Sequence, residues 1–329
     1  MNWIESTGWW SPLLMVGVFV AGSLLTVWRL ESMSAGGLEG TVLGTLITPY
    51  ITGMGNLFFA FLIARQKSGS ATEVLTNCLV NNVTNMTLVL GLPAVIWSMD
   101  LFATKSDGKK SKAKAPANTH EVNRLSLLLT LTAVLFFTGT TWALGADGKI
   151  SFMDGVVLVG LFLFWQSFHV FEVLKSNARQ NKSFNWMMAM DLALLAVGGY
   201  FVYASTKWLV EWAPHAGNGF IANHIGWLSG WIDVLPNALL AIYYGWTKRP
   251  EIVYTSQVGD GHICIPLCIG IFALFRTIHV PSFFTPGVIV LIGATLLHFF
   301  FIAAMGRLPR LVGLVLVAAY GYFIYTGLI

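Results

Sequence analysis

Charge is scarce in this chain. Of its 329 residues only 10% are Asp, Glu, Lys or Arg, where soluble domains carry about a quarter. With 56% hydrophobic residues and a mean hydropathy of +0.70, that scarcity excludes a soluble globular protein and implies an integral membrane protein. Cysteine is nearly absent as well. Cys78, Cys264 and Cys268 are an odd set placed in apolar runs, which argues against a disulfide framework. Zinc-ligand spacings, a nucleophile elbow and a paired acid/base set are all missing, so no enzyme chemistry is read. The first eleven residues lack a basic lead-in, and no cleavable signal peptide is expected. The net charge of +4 points to no nucleic acid partner; what matters is which loops hold the positive charges.

Apolar runs of about 20 residues, the length that crosses a bilayer, number ten. They cover 11–29, 38–64, 72–99, 123–145, 151–174, 185–205, 219–246, 250–277, 284–305 and 309–328. The second, third, seventh and eighth are longer and more polar. They carry helix breakers at Pro49, Gly53, Gly55, Pro236, Gly259 and Gly261, so interruptions are expected there, where loosened backbone lines a cavity. Segment 102–122, rich in lysine, reads as a solvated basic loop. With ten spans, 14 of the 19 Lys and Arg fall on the side of that loop. The positive-inside rule then puts the loop in the cytoplasm and both termini outside a plasma membrane.

The most unusual stretch is Thr76-Asn77-Cys78-Leu79-Val80-Asn81-Asn82-Val83-Thr84-Asn85. Asn77, Asn81 and Asn85 recur at i, i+4 and i+8, one polar stripe on a helix. Amides in hydrocarbon are costly without partners, so the stripe must face protein or a water-filled cavity. Laying spans one to five over six to ten reveals a repeat. Pro49 matches Pro236; Asn77, Asn81 and Asn85 match Ser256, Asp260 and Cys264; the run from Gly155 matches the run from Gly313. Each half has five spans, so the copies, 1–176 and 177–329, must be inverted. Inverted repeats with broken helices are the architecture of secondary transporters.

Pro49, the Asn77–Asn85 stretch and Leu88-Val89-Leu90-Gly91-Leu92 resemble the first alpha-repeat of the calcium/cation antiporter superfamily, which includes sodium/calcium exchangers. Leu235-Pro236-Asn237 and Pro250 through Gly261 resemble the second, and Ala146 through Gly155 the family's link between spans four and five. The resemblance implies an all-α membrane protein of ten helices in two inverted repeats. It also implies an antiporter working by alternating access, exchanging Ca2+ or another cation for Na+ or H+. No covalent cofactor is implied; the partners are small inorganic cations and the lipid bilayer. Two departures stand out. The family's central glutamates fall at Tyr50 and Asn237, neither of which is charged at neutral pH, and the serine positions of the two motifs hold Asn81 and Asp260. A Na+- or H+-coupled carrier of another substrate, a channel, or a non-transporting scaffold on the same fold are the alternatives.

The candidate site follows. Asp260, a carboxylate mid-span between two glycines, is read as a cation ligand or proton carrier, with a structural ion pair as the alternative. Asp233 is the second carboxylate, and could instead cap or pair with a neighbour. Asn77, Asn81 and Asn237 offer amide oxygens that suit hard cations; Asp233, Asp260 and Asn81 are the expected metal ligands. Asn82 and Asn85 serve equally well as interhelical hydrogen-bond partners. Thr48 and Ser256 carry hydroxyls that often bond their own preceding carbonyls. Tyr50 occupies a lost-glutamate position. His262 reads as an interhelical hydrogen bond or a proton-coupling or metal site. Cys264 and Cys268 with His262 could form a soft-metal site, but their i, i+4 spacing in an apolar run favours packing.

Overall fold

The computed structural model describes residues 10–35, 50, 53–66, 70–97, 99–101, 117–177 and 186–329. Asp260 and His262 are described as helix backbone only, and Thr48 and most of the basic segment lie outside the described residues. The chain is all-α. Helices α1 (Ser11–Ala35), α2 (Met54–Arg65), α4 (Ala117–Leu144), α5 (Phe152–Asn177), α6 (Trp186–Trp212) and α7 (Ile225–Trp246) are joined by α9 (Phe284–Met305) and α10 (Arg310–Leu328). Two helices are composite. In α3, Thr72–Thr84 passes through a π-helical segment, Asn85–Val89, into Leu90–Ile96. In α8, Pro250–Ile263 passes through Cys264–Ile269 into Gly270–Ala273.

Among the described residues eight helices are long and apolar enough to cross a membrane, and α2 and α5 contribute shorter apolar stretches. Over their spanning windows α3 and α8 are 78% and 81% buried, against 22–44% for the rest. Of these eight helices, α3 and α8 are the most enclosed by the protein itself.

Several expected boundaries move. Residues 117–122 belong to α4, so helix replaces the last part of the basic segment. The seventh expected span is split at His224 into Gly219–Asn223 and α7. Neither Pro236 nor Gly259-Asp260-Gly261 interrupts its helix; the irregular turns are the π segments of α3 and α8, the latter a few residues beyond Gly261. Local chemistry explains their position. Pro266, inside Cys264–Ile269, lacks an N–H, and its ring collides with the carbonyl of a regular helix, so the turn widens. Thr87, inside Asn85–Val89, hydrogen-bonds back to the Val83 carbonyl, which also loosens a helix.

The two π segments begin at Asn85 and Cys264, which the sequence repeat pairs. The same register recurs elsewhere. Strand β1 (Met99–Asp100) pairs antiparallel with β4 (Arg307–Leu308), and β2 (Lys149–Ile150) with β3 (Ile278–His279). The repeat carries β1 onto β3 and β2 onto β4. Before β2 and β4 stand Gly148 and Gly306, both left-handed, with φ of 87° and 65°; only glycine takes that conformation freely. Their carbonyls accept from Val280 N and Leu101 N at 3.0 and 3.1 Å.

The described helices divide into two compact units. The first comprises residues 1–81, 144–236 and 263–281, the second 82–143, 237–262 and 282–329. Within the first, α1 lies along α6: a Cβ on Gly22 would meet Gly198 O at 2.9 Å. Arg29 Nη1 and Asp191 Oδ1 form a buried ion pair there at 3.3 Å. Also in the first unit α5 crosses the end of α8 at Gly155 and Gly270, where a Cβ on Gly155 would stand 2.8 Å from Gly270 O. Within the second unit α10 crosses the end of α3 in the same way, Gly313 facing Gly91 O at 2.8 Å.

Candidate functional site

In the first unit α3 and α7 approach closely, because small residues face the asparagine stripe. A Cβ on Gly230 would lie 2.9 Å from Asn77 O, so glycine there lets the backbones meet. Asn77, fully buried, donates its amide to Asp233 Oδ2 at 2.9 Å and to Ser229 Oγ at 3.0 Å. Ser229 and Asp233 are four apart on α7 and present both oxygens to the same amide. Asp233 is 6% exposed, so its charge rests on the protein groups around it. Gly55 at the start of α2 makes room for it: a Cβ there would land directly on Asp233 Oδ1, with Phe19 at 3.0 Å.

One turn further along α3, Asn81 donates to Cys264 Sγ at 3.3 Å, at the first residue of the α8 π segment. Cys264, Cys268 and Cys78 are all buried. At the head of α3, Glu73 Oε2 accepts from Gly226 N at 2.7 Å, a carboxylate at the N-terminus of α7, where the helix dipole favours it. Tyr50 stands edge-on to Phe162, ring centroids 6.1 Å apart, against an apolar cluster with Ile263 and Leu267. This lost-glutamate position therefore sits in apolar packing.

The second unit holds the other asparagines. Asn82 donates to Gly261 O at 3.3 Å, and these two residues are themselves a repeat pair, so α3 and α8 meet there at equivalent positions. Asn85 is buried. Asn237 is buried, and its carbonyl accepts from Gln257 Nε2 at 3.3 Å. Gln257 also donates to Ser256 Oγ at 3.2 Å, while the Ser256 hydroxyl bonds Val253 O. Still in this unit, His298 on α9 links Met86 O at 2.8 Å to the Tyr254 hydroxyl at 3.0 Å. The carbonyl can only accept, so Nε2 donates to it and Nδ1 accepts from the tyrosine.

Of the residues expected from sequence, the structure brings Asn77, Asn81 and Asp233 into the first unit and Asn82, Asn85, Asn237 and Ser256 into the second. Glu73 stands in the first turn of α3, where a carboxylate suits the helix dipole, and sequence reasoning missed Ser229, the place Gly55 leaves for Asp233 and the Asn81–Cys264 contact. Ser229 was findable, four residues before Asp233 on one helical face; Gly55 was not, because its role depends on a partner far along the chain. Among the described residues no three His, Cys, Asp or Glu are placed to hold a metal ion. A hard cation held beside Asn77 would therefore draw on amide and hydroxyl oxygens together with the Asp233 carboxylate.

No curated protein sequence matches this chain. It is similar to solved structures of the sodium-calcium exchanger NCX_Mj. One, soaked with 2.5 mM Na+ and 10 mM Sr2+, is 19% identical with a TM-score of 0.66, covering 97% of this chain and 100% of that one. A second, soaked with 2.5 mM Na+ and 0.1 mM Ca2+, is 19% identical with a TM-score of 0.65, over 96% and 97%. A third, soaked without Na+ and Ca2+, is 18% identical with a TM-score of 0.63, over 95% and 99%. These show the fold. The family model described as sodium/calcium exchanger protein matches residues 7–171 and 190–328, nearly the whole length, and the chain thus belongs to the sodium/calcium exchanger family, whose members are membrane transporters rather than enzymes.

Proposed function

We propose that this protein is a secondary antiporter that exchanges Ca2+ or another cation for Na+ or H+ by alternating access. The observation that carries the reading is the fully buried Asn77 amide bonded to the buried Asp233 carboxylate on polar helices inside an otherwise apolar protein. A carboxylate at such depth is costly and is kept where an ion pathway uses it. Asn77, Asn81, Ser229 and Asp233 form the oxygen-bearing group of the first unit, and Asp260, on sequence grounds, is the second acidic residue of transport. Family membership and the Na+-, Ca2+- and Sr2+-soaked NCX_Mj structures support cations as cargo.

The repeat correspondences support two inverted halves, 1–176 and 177–329. Charge distribution supports a plasma-membrane orientation with both termini outside and segment 102–122 cytoplasmic. Tyr50 and Asn237, standing where the family has glutamates, favour a cargo or stoichiometry with less bound positive charge than sodium/calcium exchange.

Purified protein in liposomes, given each candidate cation against opposed Na+ or H+ gradients, tests the reading. Uptake that depends on a counter-ion gradient is expected. Flux without any counter-ion would make the protein a channel.

A further inference from the structure

Three fully buried residues of the second unit, Met86, Tyr254 and His298, are joined through one imidazole. His298 Nε2 donates to Met86 O at 2.8 Å, and Nδ1 accepts from the Tyr254 hydroxyl at 3.0 Å. The tyrosine ring stands edge-on to the imidazole, centroids 5.5 Å apart, so tautomer and ring orientation are both fixed. Met86 lies inside the π segment of α3. A side chain of α9 thus ties the widened turn of α3 to α8.

Polar side chains stand one turn from both anchors. Asn82 precedes Met86 by four residues and Gln257 follows Tyr254 by three, so each shares a helix face with its anchor. Asn82 donates to Gly261 O and Gln257 to Asn237 O, both at 3.3 Å. Their amide oxygens, Asn82 Oδ1 and Gln257 Oε1, are buried and accept no hydrogen bond among the described residues. Native proteins leave few buried acceptors in that condition, and hard cations take oxygens of this kind. We propose that His298 is a positioning residue of transport, fixing α3 against α8 where these two oxygens receive the cation. This rests on the reading of the protein as a cation antiporter. His298 itself acts through Met86 and Tyr254 and touches no ion.

Substitution separates the two nitrogens. Glutamine reaches the place of Nε2 and can donate to Met86 O, whereas asparagine reaches only the place of Nδ1. His298→Gln and His298→Asn are compared with the native full chain in two measurements. One is amide hydrogen exchange of residues 82–91 in detergent; the other is Ca2+ uptake by liposomes against an opposed Na+ gradient. In His298→Asn the segment should exchange about tenfold faster and half-maximal uptake should need about tenfold more Ca2+, with the maximal rate within about twofold of native. His298→Gln should stay near native in both. Native exchange in His298→Asn, faster exchange with unaltered half-saturation, or equal losses in both variants would overturn the proposal. Should neither variant fold, Tyr254→Phe, which removes a single oxygen and frees the tautomer, should show the same two effects in smaller degree; native behaviour there overturns it as well. A native protein that takes up no Ca2+ refutes Ca2+ as cargo and not the bridge, because the exchange comparison needs no cation and still decides whether His298 fixes the segment.

Discussion

Asn77 Nδ2 lies 2.9 Å from Asp233 Oδ2, a contact between α3 and α7 bridging 156 positions of sequence. Hydrogen bonds to charged groups contribute about 1.5–3 kcal/mol, and removing one partner strands the other. Asn77→Ala should therefore lower stability by an amount of that order and weaken cation binding together with it. Thermal unfolding in detergent, with and without the transported cation, checks this: the native protein should gain stability from the cation and Asn77→Ala should gain less.

Gly55 offers a sharper probe of the same carboxylate. In Gly55→Ala the new Cβ falls on Asp233 Oδ1, so the carboxylate has to leave its position. Cation exchange should fall steeply while helicity by circular dichroism stays native. Gly17→Ala, whose Cβ meets open space, is the control and should transport normally.

The buried pair Arg29–Asp191 predicts a non-additive result. Breaking such a pair from one side leaves an uncompensated charge at a cost of about 3–5 kcal/mol, whereas apolar replacement of both partners is often close to neutral. Arg29→Leu and Asp191→Leu should each destabilise strongly, and the double variant should recover much of the loss. Equal melting behaviour of single and double variants would deny the pair its structural weight.

The glycine crossings test the internal symmetry. Gly155→Ala and Gly313→Ala each bring a methyl to 2.8 Å from an opposing carbonyl oxygen, in different units but at repeat-equivalent positions. Overpacking costs about 1–3 kcal/mol, and the two losses should be alike. Gly139→Ala and Gly160→Ala, with no atom within 4 Å of the added carbon, should be neutral or gain up to about 1 kcal/mol from helix propensity.

Much of this architecture was legible in the sequence, for definite reasons. Apolar run length fixes spans, so helix ends such as 284–305 agree with the structure. The i, i+4, i+8 asparagines placed α3 inside, and its spanning window is 78% buried. The helix irregularities were harder. Pro236 and the glycines flanking Asp260 looked like breaks, yet the turns widen at Thr87 and Pro266, where a back-bonding hydroxyl and a missing donor act on the carbonyl ladder. Contacts between distant segments stayed hidden. Nothing in the sequence near Gly55 names Asp233, and the spacing of Cys264 and Cys268 on one face gave no hint that Asn81 would donate to Cys264. Spacing describes one element at a time; a site is made where elements meet.

Coupled flux in proteoliposomes with Asp233→Asn beside the native protein is the most direct test of the central claim. The native protein should take up at least one cation only against an opposed Na+ or H+ gradient, and Asp233→Asn should lose that uptake while unfolding at a comparable temperature. Undiminished coupled uptake in Asp233→Asn, or native uptake indifferent to any counter-ion gradient, would contradict the account.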